Sequence, residues 1–343
     1  MIKKYKKFLL VFVGLLFCAS VIYTGGFIWA NTLENGTDGF YFTKNFLLEN
    51  TKDRPRIILD GGSSTHHSIN SLMIENKLNR ITLNMGYNAG YPLDFRLHRL
   101  SHFISSNDII VLPLEYPYYS RDEQAMISVI SDELVSYGKF HFNALPLSKK
   151  LLVITRLNFN QATKPLKNVY RLAKHKLLGS DFNFDEKLEI IKLLESGERG
   201  DINYNALLQQ GIDLHKIDHN NGATCQEYIA VDKINSDFIK NIELIKQIQT
   251  ESGAKFIFTY PALAGKDCFD FSTTQGKKLK ALIEQIKPLV ESYGLLFVGN
   301  PFESYFPDNM VDTYWHIDEK ARNIRTKRLI EELKKTGLFN THK

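Results

Sequence analysis

A serine, a histidine and an aspartate at opposite ends of the chain are the residue types that nucleophilic catalysis requires. Ser63 follows two glycines after an apolar run, and Asp312 and His316 lie four residues apart near the C-terminus. A serine hydroxyl needs a base to take its proton, and that base needs an acid to fix its tautomer. The three residues together predict acyl transfer through an acyl-enzyme. The alternative is that residues 61–64 are an ordinary glycine-rich connection between a strand and a helix.

The residues around the serine predict a strand, a sharp turn and a helix. An Ile-Ile-Leu run at residues 57–59 leads into the glycines, and apolar residues recur at near-helical spacing from 69 to 74. Such a turn places a hydroxyl beyond the carboxyl end of the strand, beside N–H groups that can stabilise an oxyanion. Ser63 is the preferred nucleophile, and Ser64 is the alternative.

Five short apolar segments separated by helical patterns predict a three-layer α/β/α fold with a parallel, flavodoxin-like sheet. The predicted strands are residues 56–59, 80–84, 108–114, 255–260 and 295–298. Residues 55–138 and 222–343 form this domain, and residues 139–221 form a helical insertion that carries little strand signal. Catalytic groups of such sheets gather beyond the carboxyl ends of the strands.

The N-terminus predicts a membrane anchor. Four lysines precede an apolar run from Phe8 to Ala30, which is long enough to span a bilayer because ~20 residues suffice. The lysines favour a cytoplasmic N-terminus, so the body of the protein lies in the periplasm or another extracytoplasmic space. Residues 1–30 are therefore the cytoplasmic tip and signal anchor, and the polar residues 31–54 are a stalk. A cleaved signal peptide is the competing interpretation, although its apolar region is usually only about 7–15 residues long.

Charge and cysteine content limit the partners. The net charge is +5, and four of the basic residues belong to the anchor, so the remainder is nearly neutral and nucleic acid is not an expected partner. Cys225 and Cys268 could pair in an oxidising compartment, but sequence alone does not decide this. No zinc-like spacing is present, and we expect neither a metal nor an organic cofactor.

Three motifs resemble those of the SGNH (GDSL-like) hydrolase superfamily, specifically its membrane-anchored members that act on bacterial surface polysaccharides. They are LDGGSS at residues 59–64, LNMGYNAGYPL at residues 83–93, and the Asp/His segment at residues 312–326. The resemblance covers about residues 55–120 and 225–338. The family's third motif, Gly-x-Asn-Asp, is replaced by Leu-Pro-Leu-Glu-Tyr, which places Glu115 where an oxyanion donor is expected.

The resemblance implies roles for the catalytic and oxyanion residues. Ser63 is the nucleophile, His316 the base and Asp312 the residue that orients the base. The implied oxyanion donors are Gly86 together with Asn88 or Asn84. Candidate pocket residues follow from their positions near these segments and are His66, Glu115, Tyr260 and Trp315.

The implied reaction is acyl transfer or ester hydrolysis on a cell-surface carbohydrate. Water as the acceptor makes the protein an esterase, and a sugar hydroxyl makes it an O-acyltransferase. A transferase facing away from cytoplasmic thioesters would need an acyl supply, so a membrane-embedded acyl-supplying protein is an expected partner. The alternative is a non-catalytic protein of the same fold that binds a glycan or assists assembly of a surface polysaccharide.

Overall fold

A computed structural model describes residues 2–32, 39–136, 139–158, 198–209, 211–216 and 232–339, together with Thr163, Lys167, Tyr170, Lys174 and Cys225. The strands are β1 (Arg56–Leu59), β2 (Ile81–Asn84), β3 (Ile109–Leu112), β4 (Lys255–Thr259), β5 (Leu263–Ala264), β6 (Leu296–Val298) and β7 (Tyr305–Phe306). The helices up to the insertion are α1 (Ile2–Thr32), α2 (Gly39–Asn50), α3 (Ser63–Ser68), α4 (Ser71–Leu78), α5 (Leu93–Ser101), α6 (Pro117–Ser120), α7 (Glu123–Ser136), α8 (Lys139–Ala144) and α9 (Leu147–Arg156). The later helices are α10 (Tyr204–Gln209), α11 (Ser236–Ser252), α12 (Thr274–Ser292) and α13 (Glu319–Lys334).

The core of the domain is a parallel five-stranded sheet in the order β2-β1-β3-β4-β6. Its strands are mostly apolar and most of their residues are buried, which is typical of a sheet that is covered on both faces. One face packs against α5, α11 and α12, and the other packs against α4 and α13. The prediction of an α/β fold with a parallel sheet and flanking helices is confirmed.

The N-terminal helix is long and apolar enough to cross a membrane over Tyr5–Ile28. Its C-terminal end contacts the domain directly, because Phe27 is fully buried and its ring lies edge-on to that of Phe142 in α8 at 5.8 Å. The side chains of the preceding residues, from Phe8 to Phe17, are exposed. The predicted apolar N-terminal helix is thus present, and its C-terminal end packs against the helices α7–α9.

The predicted stalk over residues 31–54 differs from the structure, because α2 is part of the domain. Leu48 and Lys44 are fully buried, and the Lys44 ammonium donates to the carbonyls of Asn84 (2.8 Å), Gly86 (2.8 Å) and Gly200 (3.0 Å). A lysine in a polar segment is usually exposed, so the pattern alone gives no sign of this burial. The three carbonyls compensate the charge that burial removes from water.

The second half of the insertion is not helical where it meets the sheet. Residues 198–203 run in extended or turn conformation past the end of β2, where the Asn84 N–H donates to the Arg199 carbonyl at 2.8 Å. Within residues 159–197 of the predicted helical insertion, the structure describes only Thr163, Lys167, Tyr170 and Lys174, so most of that prediction lies outside the described residues. A disulfide joins Cys225 to Cys268, so the two cysteines whose pairing the sequence left undecided do pair.

Candidate active site

The turn after β1 requires both of its glycines because other groups approach it closely. A Cβ on Gly62 would lie 2.3 Å from Glu115 Oε1 and 2.5 Å from the Ala89 Cβ, and one on Gly61 would lie 2.3 Å from Thr65 Oγ1. Gly62 has φ −78°, so its backbone conformation is open to any residue. The reason for glycine here is therefore space rather than a left-handed conformation.

Glu115 fixes the backbone of this turn through hydrogen bonds. Its carboxylate is buried and accepts hydrogen bonds from the N–H groups of Gly62 (2.9 Å) and Ser64 (2.8 Å). Burial raises the pKa of the Glu115 carboxyl, and the two N–H donors and Arg96 partly oppose that shift. The carboxylate is an acceptor in this arrangement, so Glu115 does not replace the family's oxyanion donor. Its contacts are structural.

Arg96 of α5 also contacts this turn. Its Nη2 contacts the carboxylate of Asp60 and the carbonyl of Gly61, and it donates to the Met85 carbonyl at 3.3 Å. Both members of the Arg96–Asp60 ion pair are buried. The turn is therefore fixed by two buried charged side chains, one acidic and one basic, that come from different elements.

The geometry distinguishes the two serines. Ser64 is fully buried and its hydroxyl donates to the Ala262 carbonyl at 3.1 Å. Ser63 is partly exposed and is the first residue of α3. Residues four apart share a helix face, so Ser63 lies on the same side of α3 as His67. This arrangement favours Ser63 as the residue that can meet a substrate.

Asp312 and His316 form the pair that the spacing suggested. Both are buried, and Asp312 Oδ1 lies 2.6 Å from His316 Nδ1. A carboxylate only accepts, so Nδ1 carries the proton and Nε2 of the neutral ring is the basic nitrogen. Nε2 has no hydrogen-bond partner within the part of the chain that the structure describes. Backbone bonds from His316 N to Thr313 O (3.1 Å) and from Ala264 N to Tyr314 O (2.7 Å) hold the loop.

The helix that begins with Ser63 and the loop that carries His316 meet through two histidines. The rings of His67 and His316 are stacked, with centroids 3.7 Å apart and planes inclined by only 4°. His66, which the sequence placed in the pocket, instead directs Nδ1 at the Gly200 carbonyl at 3.0 Å. Of the adjacent histidines, His67 is therefore the one that contacts His316. Burial lowers the pKa of both well below the usual value.

Two of the three predicted oxyanion donors are engaged within the protein. The Gly86 N–H donates to Asn84 Oδ1 at 2.9 Å. The Asn84 amide nitrogen donates to the Thr65 carbonyl (3.0 Å) and to Asp201 Oδ1 (2.9 Å), which uses both of its hydrogens. Neither group can serve an oxyanion without breaking these bonds, so their predicted role is not supported by this arrangement. Asn88 is partly exposed, and its Oδ1 accepts from the Gly90 N–H at 2.7 Å.

The remaining predicted pocket residues differ in their surroundings. Trp315 is partly exposed beside the base, and its ring centroid lies 6.2 Å from that of Tyr116. Tyr260 belongs to the core, where its ring packs edge-on against Phe297 at 4.8 Å. Trp315 thus borders the site, whereas Tyr260 is mainly a packing residue.

Sequence reasoning missed the segment that supports the site from the insertion. Asp201 is buried and accepts from the Ser71 N–H (2.8 Å), the Ser71 hydroxyl (2.7 Å) and the Asn84 amide. Tyr204 lies 3.2 Å from His67 Nδ1 and donates to the Ile317 carbonyl at 2.8 Å. No residue pattern near 201–204 distinguishes these two from surface residues, so nothing in the sequence could have identified them.

No group of three or more His, Cys, Asp or Glu residues is arranged to hold a metal ion among the residues with described positions. No protein-family model matches the chain, and no curated protein is significantly similar to it. The resemblance to the SGNH superfamily stays a prediction from the three motifs. What is established is a parallel α/β domain behind an apolar N-terminal helix, with a buried Asp–His pair stacked on the helix that begins with Ser63.

Proposed function

We propose that the protein transfers or removes an acyl group on a bacterial cell-surface carbohydrate, through an acyl-enzyme on Ser63. The observation that carries this proposal is the Asp312–His316 pair, whose basic Nε2 is buried and whose ring rests on the helix that presents the Ser63 hydroxyl. A hydroxyl is activated by a histidine whose proton-bearing nitrogen is held by a carboxylate and whose other nitrogen is unpartnered. His316 meets this description, and its ring packs on His67, four residues after the partly exposed Ser63.

The proposed reaction has two steps. The Ser63 oxygen attacks an ester carbonyl while His316 Nε2 takes the hydroxyl proton, and collapse of the tetrahedral intermediate releases the alcohol, which leaves with that proton. Water or a sugar hydroxyl then attacks the acyl-serine, and the same nitrogen takes its proton and returns it to Ser63. Asp312 keeps the proton on Nδ1 throughout and stabilises the imidazolium.

Three observations support a surface carbohydrate as the substrate class. The apolar helix α1 can anchor the domain to a membrane, and the Cys225–Cys268 disulfide is typical of an oxidising compartment outside the cytoplasm. The third support is the motif resemblance to enzymes that act on bacterial surface polysaccharides. If the acceptor is a sugar, an acyl-supplying membrane protein is the expected partner.

The test compares the full-length protein in detergent with its variants. We expect the wild type to hydrolyse p-nitrophenyl acetate and to be labelled by a fluorophosphonate probe. We expect Ser63→Ala and His316→Ala to lose both, with turnover falling at least ~10³-fold. Ser128→Ala changes an exposed serine on α7 and is the matched control. Loss of labelling in Ser64→Ala but not in Ser63→Ala would assign the nucleophile to Ser64.

A second measurement separates transfer from hydrolysis. In cells that carry His316→Ala, surface-glycan acylation should fall if the protein adds acyl groups and rise if it removes them. Unchanged acylation together with no probe labelling of the wild type would exclude the enzyme.

The second candidate is a non-catalytic glycan-binding or assembly protein. It is favoured by one observation, namely that the Gly86 N–H and the Asn84 amide are engaged within the protein. A protein of this kind would keep glycan binding in Ser63→Ala at wild-type affinity, whereas it would show no esterase turnover in any variant.

A further inference from the structure

His67 is buried in α3, and its ring contacts three other aromatic rings. Its ring stacks flat on the ring of His316, whose Nδ1 is hydrogen-bonded to Asp312. The His67 ring is also edge-on to the rings of His66, at 5.4 Å between centroids, and Tyr204, at 6.0 Å. Arg322, whose guanidinium lies over the Tyr204 ring at 5.1 Å, and Lys44 are the cations that face this cluster. Burial lowers the pKa of His67, and the neighbouring His316 and His66 and then these two cations lower it further, so its ring is neutral at physiological pH.

The hydrogen bonds of Tyr204 fix the tautomer of His67. The Tyr204 hydroxyl has one proton, which it donates to the Ile317 carbonyl at 2.8 Å. Its oxygen can therefore only accept from His67 Nδ1, which lies 3.2 Å away. His67 is thus a neutral ring with its proton on Nδ1, and it is tied to the residue that follows the base in the chain.

Stacking excludes His67 as a second base for His316. Nitrogen donors and lone pairs of imidazole lie in the ring plane, and the two planes are nearly parallel at a centroid separation of 3.7 Å. No hydrogen bond can join the two rings in this geometry. What the contact can do is restrain the orientation of His316.

The hydrogen bond to Asp312 restrains the His316 ring at Nδ1, but it leaves the ring plane able to tilt through the side-chain torsions. A flat aromatic surface against one face of the ring restricts this tilt. The direction of Nε2 is then fixed relative to α3, whose first residue is Ser63. Because His67 is neutral, it does this without adding a charge beside the imidazolium that forms during the reaction.

We propose that His67 is a positioning residue, a tautomer-fixed neutral imidazole that holds the plane of His316 and thereby aims Nε2 at the Ser63 hydroxyl. The proposal rests on the proposed function for its consequence in catalysis, but the positioning can be measured without any activity.

The direct measurement is the low-field NMR signal of the Nδ1 proton shared by His316 and Asp312, recorded on full-length protein with labelled histidine in detergent. We expect the signal in the wild type and in His67→Phe, which keeps a flat aromatic ring. In His67→Ala the signal should broaden or vanish. The control is His98→Ala, a half-buried histidine of α5 outside the site, in which the signal should persist.

Kinetics supply the second readout. His67→Ala should lower kcat for the acetate ester ~10- to 100-fold with KM changed less than about threefold, because a mispositioned base affects the chemical step. His67→Phe should stay within about threefold of the wild type, and Tyr204→Phe, which frees the His67 tautomer, should lie between the two.

Two outcomes would overturn the proposal. A sharp low-field signal and near wild-type kcat in His67→Ala would show that the stack positions nothing. A loss in His67→Phe as large as that in His67→Ala would show that a nitrogen of His67 acts directly. If the wild type has no turnover, the proposed function fails, and the NMR comparison alone then supports or overturns the positioning.

Discussion

The two halves of the candidate site are held by different forces. The turn that carries Ser63 lies between buried charges, with Arg96 on one side and Glu115 on the other. The loop that carries His316 is held by backbone hydrogen bonds, one carboxylate and one stacked ring. Changes around the Ser63 turn should therefore cost folding stability, whereas changes around the His316 loop should cost the proposed reactivity and leave the fold intact.

The largest expected effect lies in the His316 loop. Asp312→Asn keeps the shape of the side chain but presents either an oxygen or an NH₂ group to His316 Nδ1, which allows the wrong tautomer. We expect kcat for an activated ester to fall ~10³- to 10⁴-fold, as in other Asp–His pairs. The melting temperature should shift by less than a few degrees, which differential scanning calorimetry measures. A large loss of stability would remove the contrast between the two halves.

The next effect lies around the Ser63 turn. Arg96→Met should leave the buried carboxylate of Asp60 without its cation, which typically costs ~3–5 kcal/mol of the free energy of unfolding. Denaturant unfolding of the detergent-solubilised protein measures this. The control is Lys334→Ala, which removes a surface partner of Glu331 and should cost under about 0.5 kcal/mol. Equal losses in the two variants would contradict the buried-charge account.

A pH effect should come from the loop after β2, which Arg121 holds through the carbonyls of Ala89 and Tyr91 while it pairs with Glu123. Burial raises the pKa of Glu123 to about 7. The folded pKa exceeds the unfolded one, so the contribution of Glu123 to stability is fully present below about pH 4.5 and is lost as the pH rises to about 7. The loss amounts to about 3 kcal/mol at most.

Glu123→Gln removes this titration. We expect its unfolding free energy to vary less between pH 4.5 and 7 than that of the wild type, measured by denaturant unfolding at several pH values. Parallel profiles for the two proteins would show that Glu123 titrates normally.

The smallest of the four effects should come from Glu115→Gln. The amide oxygen can accept from one N–H of the turn, but its NH₂ group then faces the other. Two buried donors that face each other without an acceptor reduce the free energy of unfolding by ~1–3 kcal/mol. Thermal unfolding measures this cost, and the ester assay measures the accompanying fall in kcat. A variant with wild-type stability and lower kcat would place Glu115 in the reaction rather than under the turn.

The main features of the fold could be predicted from the sequence because they depend on local pattern. Runs such as Ile57–Leu59 and Ile109–Leu112 are apolar at every position, which only a strand covered on both faces explains well. The start of the last helix is also local, because the side chain of Asp318 accepts from the Ala321 N–H three residues later at 2.7 Å. The prediction that residues 31–54 form a stalk differs from the structure because Lys44 is buried. That burial depends on three carbonyl groups that are distant in sequence.

By itself, the sequence determined the parallel sheet, the long apolar N-terminal helix, the glycine turn before Ser63 and the spacing that lets Asp312 reach His316. Only the tertiary structure decided which groups satisfy the buried donors. It assigned the Gly86 N–H to Asn84, the turn's N–H groups to Glu115, and the face of His316 to His67. The physical reason is the distance along the chain over which each interaction acts. Strand and turn patterns act between neighbours in the chain, whereas hydrogen bonds and ring contacts join whichever residues the fold brings together.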